Sequence, residues 1–124
     1  MSRDAAQQFA AYTGAELTAT PVQPIYFGVD HGLQKEGKLV GVICVRDADA
    51  LQQFGHSYKI PIFLIHALFK IHKAGTPAFL VLESAKEKSV RWFRVNDRVG
   101  TLSIHWQHNG GNVLIPRELF RDAG

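Results

Sequence analysis

The stretch that decides the fold is Leu39-Val40-Gly41-Val42-Ile43-Cys44-Val45, a nearly continuous apolar run rich in β-branched residues. Such a run is typical of a strand that is buried on both faces at the centre of a sheet. Residues 61–73 follow with apolar side chains at helical spacing, beginning at Pro61, which suits a first helical turn. Residues 78–83 form a second run of the buried-strand type. Strand, helix and strand in this order predict a parallel strand pair joined by a right-handed crossover.

The chain on either side of this unit supplies further elements, indicated by helical spacing, short apolar runs and glycine or proline breaks. They are a helix at 3–17 with Gly14 near its end, a strand at 25–29, a turn or loop at 30–37, an irregular segment at 46–58 with a short helical turn, a strand at 90–95 in a hairpin with the strand before it, a short strand at 113–116 and a final short helix at 117–121. This order predicts an α/β fold with a mixed central β-sheet flanked by helices.

Length and composition fit a single domain over residues 1–124. Of the 124 residues, 46% are apolar and 20% are charged, which are ordinary values for a globular protein. The single cysteine, Cys44, excludes an intrachain disulfide and is consistent with a reducing compartment. The sequence has no hydrophobic region of signal-peptide type and no apolar run long enough for a bilayer. We therefore expect a cytoplasmic protein with no membrane partner.

Several short motifs occur in an informative order. Ile25-Tyr26-Phe27-Gly28-Val29 precedes a glycine-containing turn, residues 37–45 contain the central strand, and Ile60-Pro61-Ile62 opens a helix that carries two histidines. That helix stops at a glycine, a Phe-Leu-Val-Leu strand follows, and a Gly-Gly turn precedes a Leu-Ile-Pro motif near the end of the chain. In order and spacing these motifs resemble those of the RecU-like Holliday-junction resolvases, a branch of the PD-(D/E)xK nucleases. The resemblance covers residues 25–120 and implies a restriction-endonuclease-like, resolvase-type core.

The same resemblance indicates that the catalytic residues are missing. Nucleases of this class bind divalent metal through an Asp on one strand and a Glu on the next, and a Lys two residues beyond the Glu acts on water or on the phosphate. The family's Asp-Tyr-x-Gly-Val motif places Ile25 at the Asp. Its Glu-Ala-Lys motif places Ile43 at the Glu and Val45 at the Lys, and sliding that strand by one residue gives Val42 and Cys44 instead.

The replacements are physically coherent for a protein that has lost catalysis. Phe69 stands where the family's helix carries a Gln. A carboxylate buried without its metal is costly, so apolar side chains of similar bulk are expected to pack better. Ile25, Ile43 and Val45 would then form a small core under the former cleft. We therefore expect a non-catalytic protein that needs no metal or other cofactor.

A relocated active site is an alternative to the loss of catalysis. Asp30, Asp47 and Glu83 are predicted to lie near the former site, and Asp47 falls on the same strand face as Ile43 and Val45. If these carboxylates converged, the protein would be an active nuclease that uses Mg²⁺. Otherwise the acids serve in turns or on the solvated surface.

For a protein that has lost catalysis, the resemblance implies nucleic-acid binding as the remaining function. The net charge of +3 is consistent with an anionic partner. Phosphate contacts by Lys and Arg are salt-dependent and largely independent of base sequence. The candidate residues are Lys35, Lys38, Arg46, Lys59, Lys70, Lys73, Arg91 and Arg94. The expected partner is DNA, with branched DNA recognised by its shape, and the resemblance also implies a homodimer.

A second hypothesis is a protein-interaction module, in which an inactive nuclease scaffold binds another protein as its regulator or inhibitor. A contiguous basic face would favour nucleic acid. An exposed apolar patch around Trp92, Trp106 or Phe120 would favour a protein partner. The sequence alone leaves both hypotheses open.

Overall fold

The computed structural model describes residues 3–18 and 29–124, and these residues contain helices, strands and two short 3₁₀ turns. The helices are α1 (Arg3–Thr13), α2 (Ile62–Lys73) and α3 (Arg98–Leu102). The strands are β1 (Glu16–Leu17), β2 (His31–Lys35), β3 (Lys38–Asp47), β4 (Gln53–Phe54), β5 (Ser57–Pro61), β6 (Ala78–Ser84), β7 (Ser89–Arg94), β8 (Asn112–Pro116) and β9 (Arg121–Asp122).

The main sheet has the strand order β1-β2-β3-β6-β7-β9. Strands β3 and β6 pair in parallel from Val42↔Ala78 to Asp47↔Glu83, and the other neighbouring strands are antiparallel. The predicted mixed sheet and the predicted parallel pair are both confirmed. The apolar run at 39–45 places Val42, Ile43 and Cys44 in the interior, because β3 is central and is covered on both faces.

Helices α1 and α2 cover opposite faces of this sheet. Alternation along β3 sends Ile43 into a core with Phe9 of α1, whereas Cys44 packs in a second core with Leu68 of α2. The same alternation in β7 sends Trp92 to the α1 side and Phe93 to the α2 side. The sheet is therefore the middle layer between two helices, and each face has its own core.

A second, smaller sheet of order β4-β5-β8 was not predicted from the sequence. Strand β5 pairs antiparallel with β8 from Ser57↔Pro116 to Pro61↔Asn112. The buried side chains of this small sheet join the core beneath α2, and they include Tyr58, Ile60 and Ile115. The segment 46–58, predicted as irregular, therefore contains a 3₁₀ turn at Ala48–Ala50, the strand β4 and the start of β5.

Two predicted boundaries are wrong for identifiable reasons. The first helix ends at Thr13 and not at 17, because Gly14 takes a left-handed conformation (φ +75°) and the next residues pair with β2 as β1. The segment 30–37 is not a loop throughout. It contains β2, and its turn is confined to Glu36 and Gly37, whose φ angles of +51° and +76° suit a two-residue hairpin turn.

The last predicted helix is also wrong. Only Arg117–Leu119 forms a 3₁₀ turn, and the chain then extends as β9 along the edge of β7. The predicted strand 25–29 lies outside the described residues except for Val29. Within the described ranges, no helix is long and apolar enough to cross a membrane.

Candidate functional site

The positions that the resemblance assigns to catalysis are buried beneath α1. Ile43 is fully buried in the core that contains Phe9, and the half-buried Val45 packs against the same core. Ile25 lies outside the described residues. In the shifted register, Val42 and Cys44 are equally inaccessible on the α2 side of the sheet. Ile43, Val42 and Cys44 are therefore inaccessible to a hydrated metal ion or a phosphodiester within the described structure, and Val45 is only partly exposed.

The fourth assigned position, Phe69, lies half-buried on α2. Its ring is 5.8 Å from the ring of His72, and the Lys73 ammonium lies 5.8 Å from its centroid. This aromatic side chain supports packing of α2 and offers no hydrogen bond to a substrate.

Asp30 is held in internal contacts. Its Oδ2 accepts a hydrogen bond from the backbone N–H of Val45 at 2.7 Å and one from Nη1 of Arg46 at 3.0 Å. Cys44 lies beside them, and burial raises the pKa of its thiol from 9.0 to about 12, an effect that the charge of Arg46 opposes and the Asp30 carboxylate increases. This acid therefore fixes the end of β3 to the segment before β2.

Asp47 and Glu83 are neighbours in register on the parallel strands β3 and β6. Their positions alternate with those of Cys44 and Arg46, so they lie on the α1 side of the sheet, and Asp30 lies with Cys44 on the opposite side. Oδ1 of Asp47 also accepts a hydrogen bond from the backbone N–H of Asp49 at 3.0 Å. The structure does not bring the three candidate acids together.

No cluster of three or more His, Cys, Asp or Glu side chains that could hold a metal ion occurs within residues 3–18 and 29–124. Asp47 and Glu83 thus stand as a pair of carboxylates on adjacent strands, with no third such side chain grouped with them in these ranges.

Three of the eight candidate cations are engaged with acids. Arg46 pairs with Asp30, and the Lys73 ammonium lies 3.4 Å from Asp97. Arg91 lies 3.7 Å from Glu87 and 3.3 Å from Asp122. The remaining five lie on separate elements, namely Lys35 and Lys38 on the β2–β3 hairpin, Lys59 on β5, Lys70 on α2 and Arg94 on β7. The sequence candidates are thus spread over several elements.

A basic groove nevertheless exists, and the sequence indicated only one of its arginines. Arg94 of β7, Arg98 of α3 and Arg121 of β9 line a groove of about 340 Å³. The other lining residues are Trp92, Phe93, Asn96 and Leu119, so no acid lines it. We call this surface the arginine groove. Arg98 and Arg121 were not predicted, because the sequence indicates no element around Arg98, which begins α3, and Arg121 falls in a stretch predicted as helix.

The groove forms where β9 leaves the edge of β7. Pairing between the two strands is limited to Arg91↔Asp122 and Trp92↔Arg121. The N–H of Val95 donates to the carbonyl of Ala78 on β6 at 2.9 Å, so the N–H and C=O of Arg94 point to the other, open edge. The backbone N–H of Arg94 has no acceptor among the residues that the structure describes.

The aromatic residues at the groove are already covered. The Trp92 ring lies 5.8 Å from that of Phe9, 6.1 Å from that of Tyr12 and 6.0 Å from that of Phe79. The Arg121 guanidinium lies 6.0 Å from the Trp92 centroid. Phe93 points to the other side of the sheet and is buried. No aromatic face in the described lining is therefore free to stack on a ligand.

The apolar patch suggested for a protein partner does not form at the three predicted residues. Phe120 is buried against Tyr58 and Phe93, and the half-buried Trp106 packs on the α2-side core, as Trp92 does on the α1 side. The large apolar side chains that are exposed lie elsewhere, namely Tyr12, Leu39, Val40, Phe54, Phe63 and Ile104.

No family model matches this sequence, and no curated protein shows significant similarity to it. The chemistry of the site therefore rests on the residues themselves. Guanidinium groups beside an open strand edge offer many N–H donors and positive charge. Both properties favour the binding of phosphate or carboxylate groups.

Proposed function

We propose that this protein is a catalytically inactive relative of the RecU-like Holliday-junction resolvases that binds nucleic acid through a restriction-endonuclease-like core. The observation that carries the proposal is the arginine groove, in which Arg94, Arg98 and Arg121 converge without an acid in the lining. Arginine binds phosphate oxygens through paired N–H donors and remains charged at all physiological pH values.

The order of elements supports the proposed family. A helix, α1, precedes the β2–β3 hairpin, and β3 leads through α2 to the parallel strand β6 and the antiparallel β7. This is the order that the resemblance implies for the nuclease core. The small sheet β4-β5-β8 is an addition to that order.

The location of the groove relative to the assigned catalytic positions also supports nucleic-acid binding. Across the sheet, Ile43 is followed by Phe79 and Arg94, and Val45 by Val81, Trp92 and Arg121. At a strand spacing of about 4.8 Å, the arginines lie roughly 10 to 14 Å from the assigned positions. A nucleic acid on this groove would thus lie at the edge of the face that carries catalysis in an active relative.

Protein binding remains the second candidate function, and the open edge of β7 favours it. A partner segment could add a strand beside Arg94, and the arginines would select an acidic segment. An active nuclease would have to build its metal site around Asp47 and Glu83 without a third ligand group in the described residues. The homodimer is a proposal from the resemblance alone.

The proposed function is tested by fluorescence anisotropy with labelled four-way junction, duplex and single-stranded DNA at two salt concentrations. We expect binding that weakens as salt is raised, because cations on the protein displace counterions from the phosphates. Absence of binding to every DNA at low salt would remove nucleic acid as the ligand. An acidic segment of a partner protein would then be the remaining candidate ligand.

A further inference from the structure

We infer that the arginine groove binds the sugar–phosphate backbone alone, contacts roughly three phosphates, one for each arginine, and stacks no base. The inference rests on the proposed function and adds to it the binding residues and the part of the nucleic acid that they hold. Three observations carry it. The acids near the groove pair with cations outside the groove, Asn96 positions two of the arginines, and the aromatic rings are covered by other side chains.

The acids next to the groove arginines are each engaged by a different cation. Asp97 precedes Arg98, but its Oδ1 lies 3.1 Å from Nε2 of His72 and 3.4 Å from the Lys73 ammonium. The hydrogen bond from His72 and the charge of Lys73 lower the pKa of Asp97. The Asp97 carboxylate therefore stays ionised and paired with these two residues.

Asp122 follows Arg121, but its Oδ1 lies 3.3 Å from Nε of Arg91. No ion pair joins Arg94, Arg98 or Arg121 to an acid within the described part of the chain. The three guanidinium charges are therefore available to an external anion.

Asn96 links two of these arginines. Its Nδ2 donates to the carbonyl of Arg94 at 3.2 Å, and its Oδ1 accepts from the backbone N–H of Arg98 at 2.9 Å. This single side chain therefore sets the position of the strand end relative to the start of α3. Aromatic rings also position the guanidinium groups of Arg94 and Arg121, which lie 6.0 Å from the ring centroids of Phe79 and Trp92, respectively. The groove thus presents two guanidinium groups beside aromatic rings and a third, that of Arg98, whose backbone position is set by Asn96.

Base stacking is excluded by the surroundings of the aromatic side chains. Proteins that hold single strands through their bases present open aromatic faces. Here Trp92 packs against three other aromatic rings and against Arg121, and Phe93 is buried on the opposite side. The groove consequently has the donors for phosphates and no surface for bases.

The test compares three labelled DNAs of equal length: a duplex, a mixed-sequence single strand and an abasic strand that keeps every phosphate but has no bases. We expect the abasic strand to bind within about twofold of the normal single strand. For the duplex, the logarithm of the affinity should fall against the logarithm of salt with a slope of about −2.7, from about −0.9 per phosphate.

Arg98 offers the cleanest variant, because it is exposed and no contact of its side chain with the described residues is observed. Arg98→Ala should weaken binding of all three DNAs by roughly five- to tenfold and reduce the magnitude of the salt slope by about one. Arg98→Lys should retain most of the slope. Lys88→Ala is the matched control, because it removes one exposed charge in the β6–β7 turn, at the opposite end of β7 from Arg94, and should change the affinity by less than about twofold.

The outcomes separate the two levels of the proposal. An abasic strand that binds more than about tenfold worse than the normal strand would overturn backbone-only recognition. Equal effects of Arg98→Ala and Lys88→Ala on DNA binding would overturn the groove as the site and leave the proposed function in place. No binding of any DNA by the unaltered protein would overturn the proposed function itself. Preferential binding of a polyglutamate peptide that Arg98→Ala abolishes would assign the groove to an acidic protein partner.

Discussion

The carboxylate of Asp30 and the guanidinium of Arg46 lie 3.0 Å apart, and the same carboxylate oxygen accepts the backbone N–H of Val45 at 2.7 Å. An acid that binds a catalytic metal must keep its oxygens free for the ion. In this protein Oδ2 of Asp30 already has two donors from β3, so the contact fixes the end of that strand to the segment before β2. Asp30 therefore has a structural role.

Replacing Asp30 with Asn should therefore cost stability and leave DNA binding intact. Side chains of the pair are 37% and 39% exposed, so solvent screens part of the attraction, and we expect a loss of about 1–2 kcal/mol. Urea unfolding measures it, with Glu118→Gln as a control for an exposed acid without an observed side-chain contact. A metal-dependent cleavage activity that disappears in Asp30→Asn would contradict a structural role.

Placing a carboxylate at Ile43, the position that the resemblance assigns to the catalytic Glu, should damage the fold and give no nuclease activity. Ile43 is fully buried beneath α1, so Ile43→Glu places a charge in an apolar core and should cost at least about 3 kcal/mol. Leu39→Glu is the matched control on the same strand, because Leu39 is 49% exposed, and it should cost less than about 0.5 kcal/mol. Equal thermal midpoints for the two variants would mean that the assigned position is open to solvent.

The thiol of Cys44 should be nearly inert in the folded protein. Burial raises the pKa of this group to about 12, and only the thiolate reacts with alkylating reagents. We expect iodoacetamide to label the native protein at pH 8 at least about a hundredfold more slowly than the protein unfolded in guanidinium chloride. Labelling of the native protein at the unfolded rate would show that the α2-side core opens readily at β3.

Asp49 should make stability depend on acid pH. Its carboxylate accepts hydrogen bonds from Oγ of Ser84 at 2.7 Å and from the backbone N–H groups of Lys86 and Ala85, and these bonds lower its pKa from the ordinary 3.8. The ionised form is favoured on folding, so its contribution is complete above about pH 3.8 and is lost as the pH falls through the lower pKa of the folded state.

The variant Asp49→Ala tests this dependence. It should be less stable than the unaltered protein at pH 7, and the difference between the two should narrow at pH 2.5. Urea midpoints at both values give the result, and Glu118→Ala serves as the control. A difference between the proteins that is the same at both pH values would rule out the ionised carboxylate as its source.

The central elements were predictable because their residues are buried on both faces or carry a single apolar stripe. The run at 39–45, the helix that follows Pro61 and the strand at 78–83 each contribute several fully buried apolar side chains to the core, so the pattern alone identifies them. The hairpin between β6 and β7 was predictable for the same reason, with a polar turn between two apolar strands.

Edge elements escaped prediction because tertiary pairing, and not local preference, creates them. Strand β9 consists of Arg121 and Asp122, which have no strand-like pattern and are extended only because they pair with β7. Strand β2 has the sequence His31-Gly32-Leu33-Gln34-Lys35 with one large apolar side chain, so its sequence predicts a loop although it pairs with β1 and β3. The error at β9 concealed the arginine groove.

The candidate site was predictable only in part. The burial of Ile43 follows from its place in the apolar run, as expected. Convergence of Arg94, Arg98 and Arg121 depends on three different elements and on the departure of β9 from β7, which no sequence spacing encodes. The contact between Asp30 and Arg46 likewise joins residues brought together by the hairpin register.

The most direct test of the central claim is a single incubation of the protein with a labelled four-way junction and Mg²⁺ at low salt, divided between a native and a denaturing gel. Binding without catalysis predicts a retarded complex on the native gel and full-length strands on the denaturing gel, with Mn²⁺ giving the same pattern. Shortened strands that appear only with metal would contradict the loss of catalysis, and an unretarded junction would contradict nucleic-acid binding.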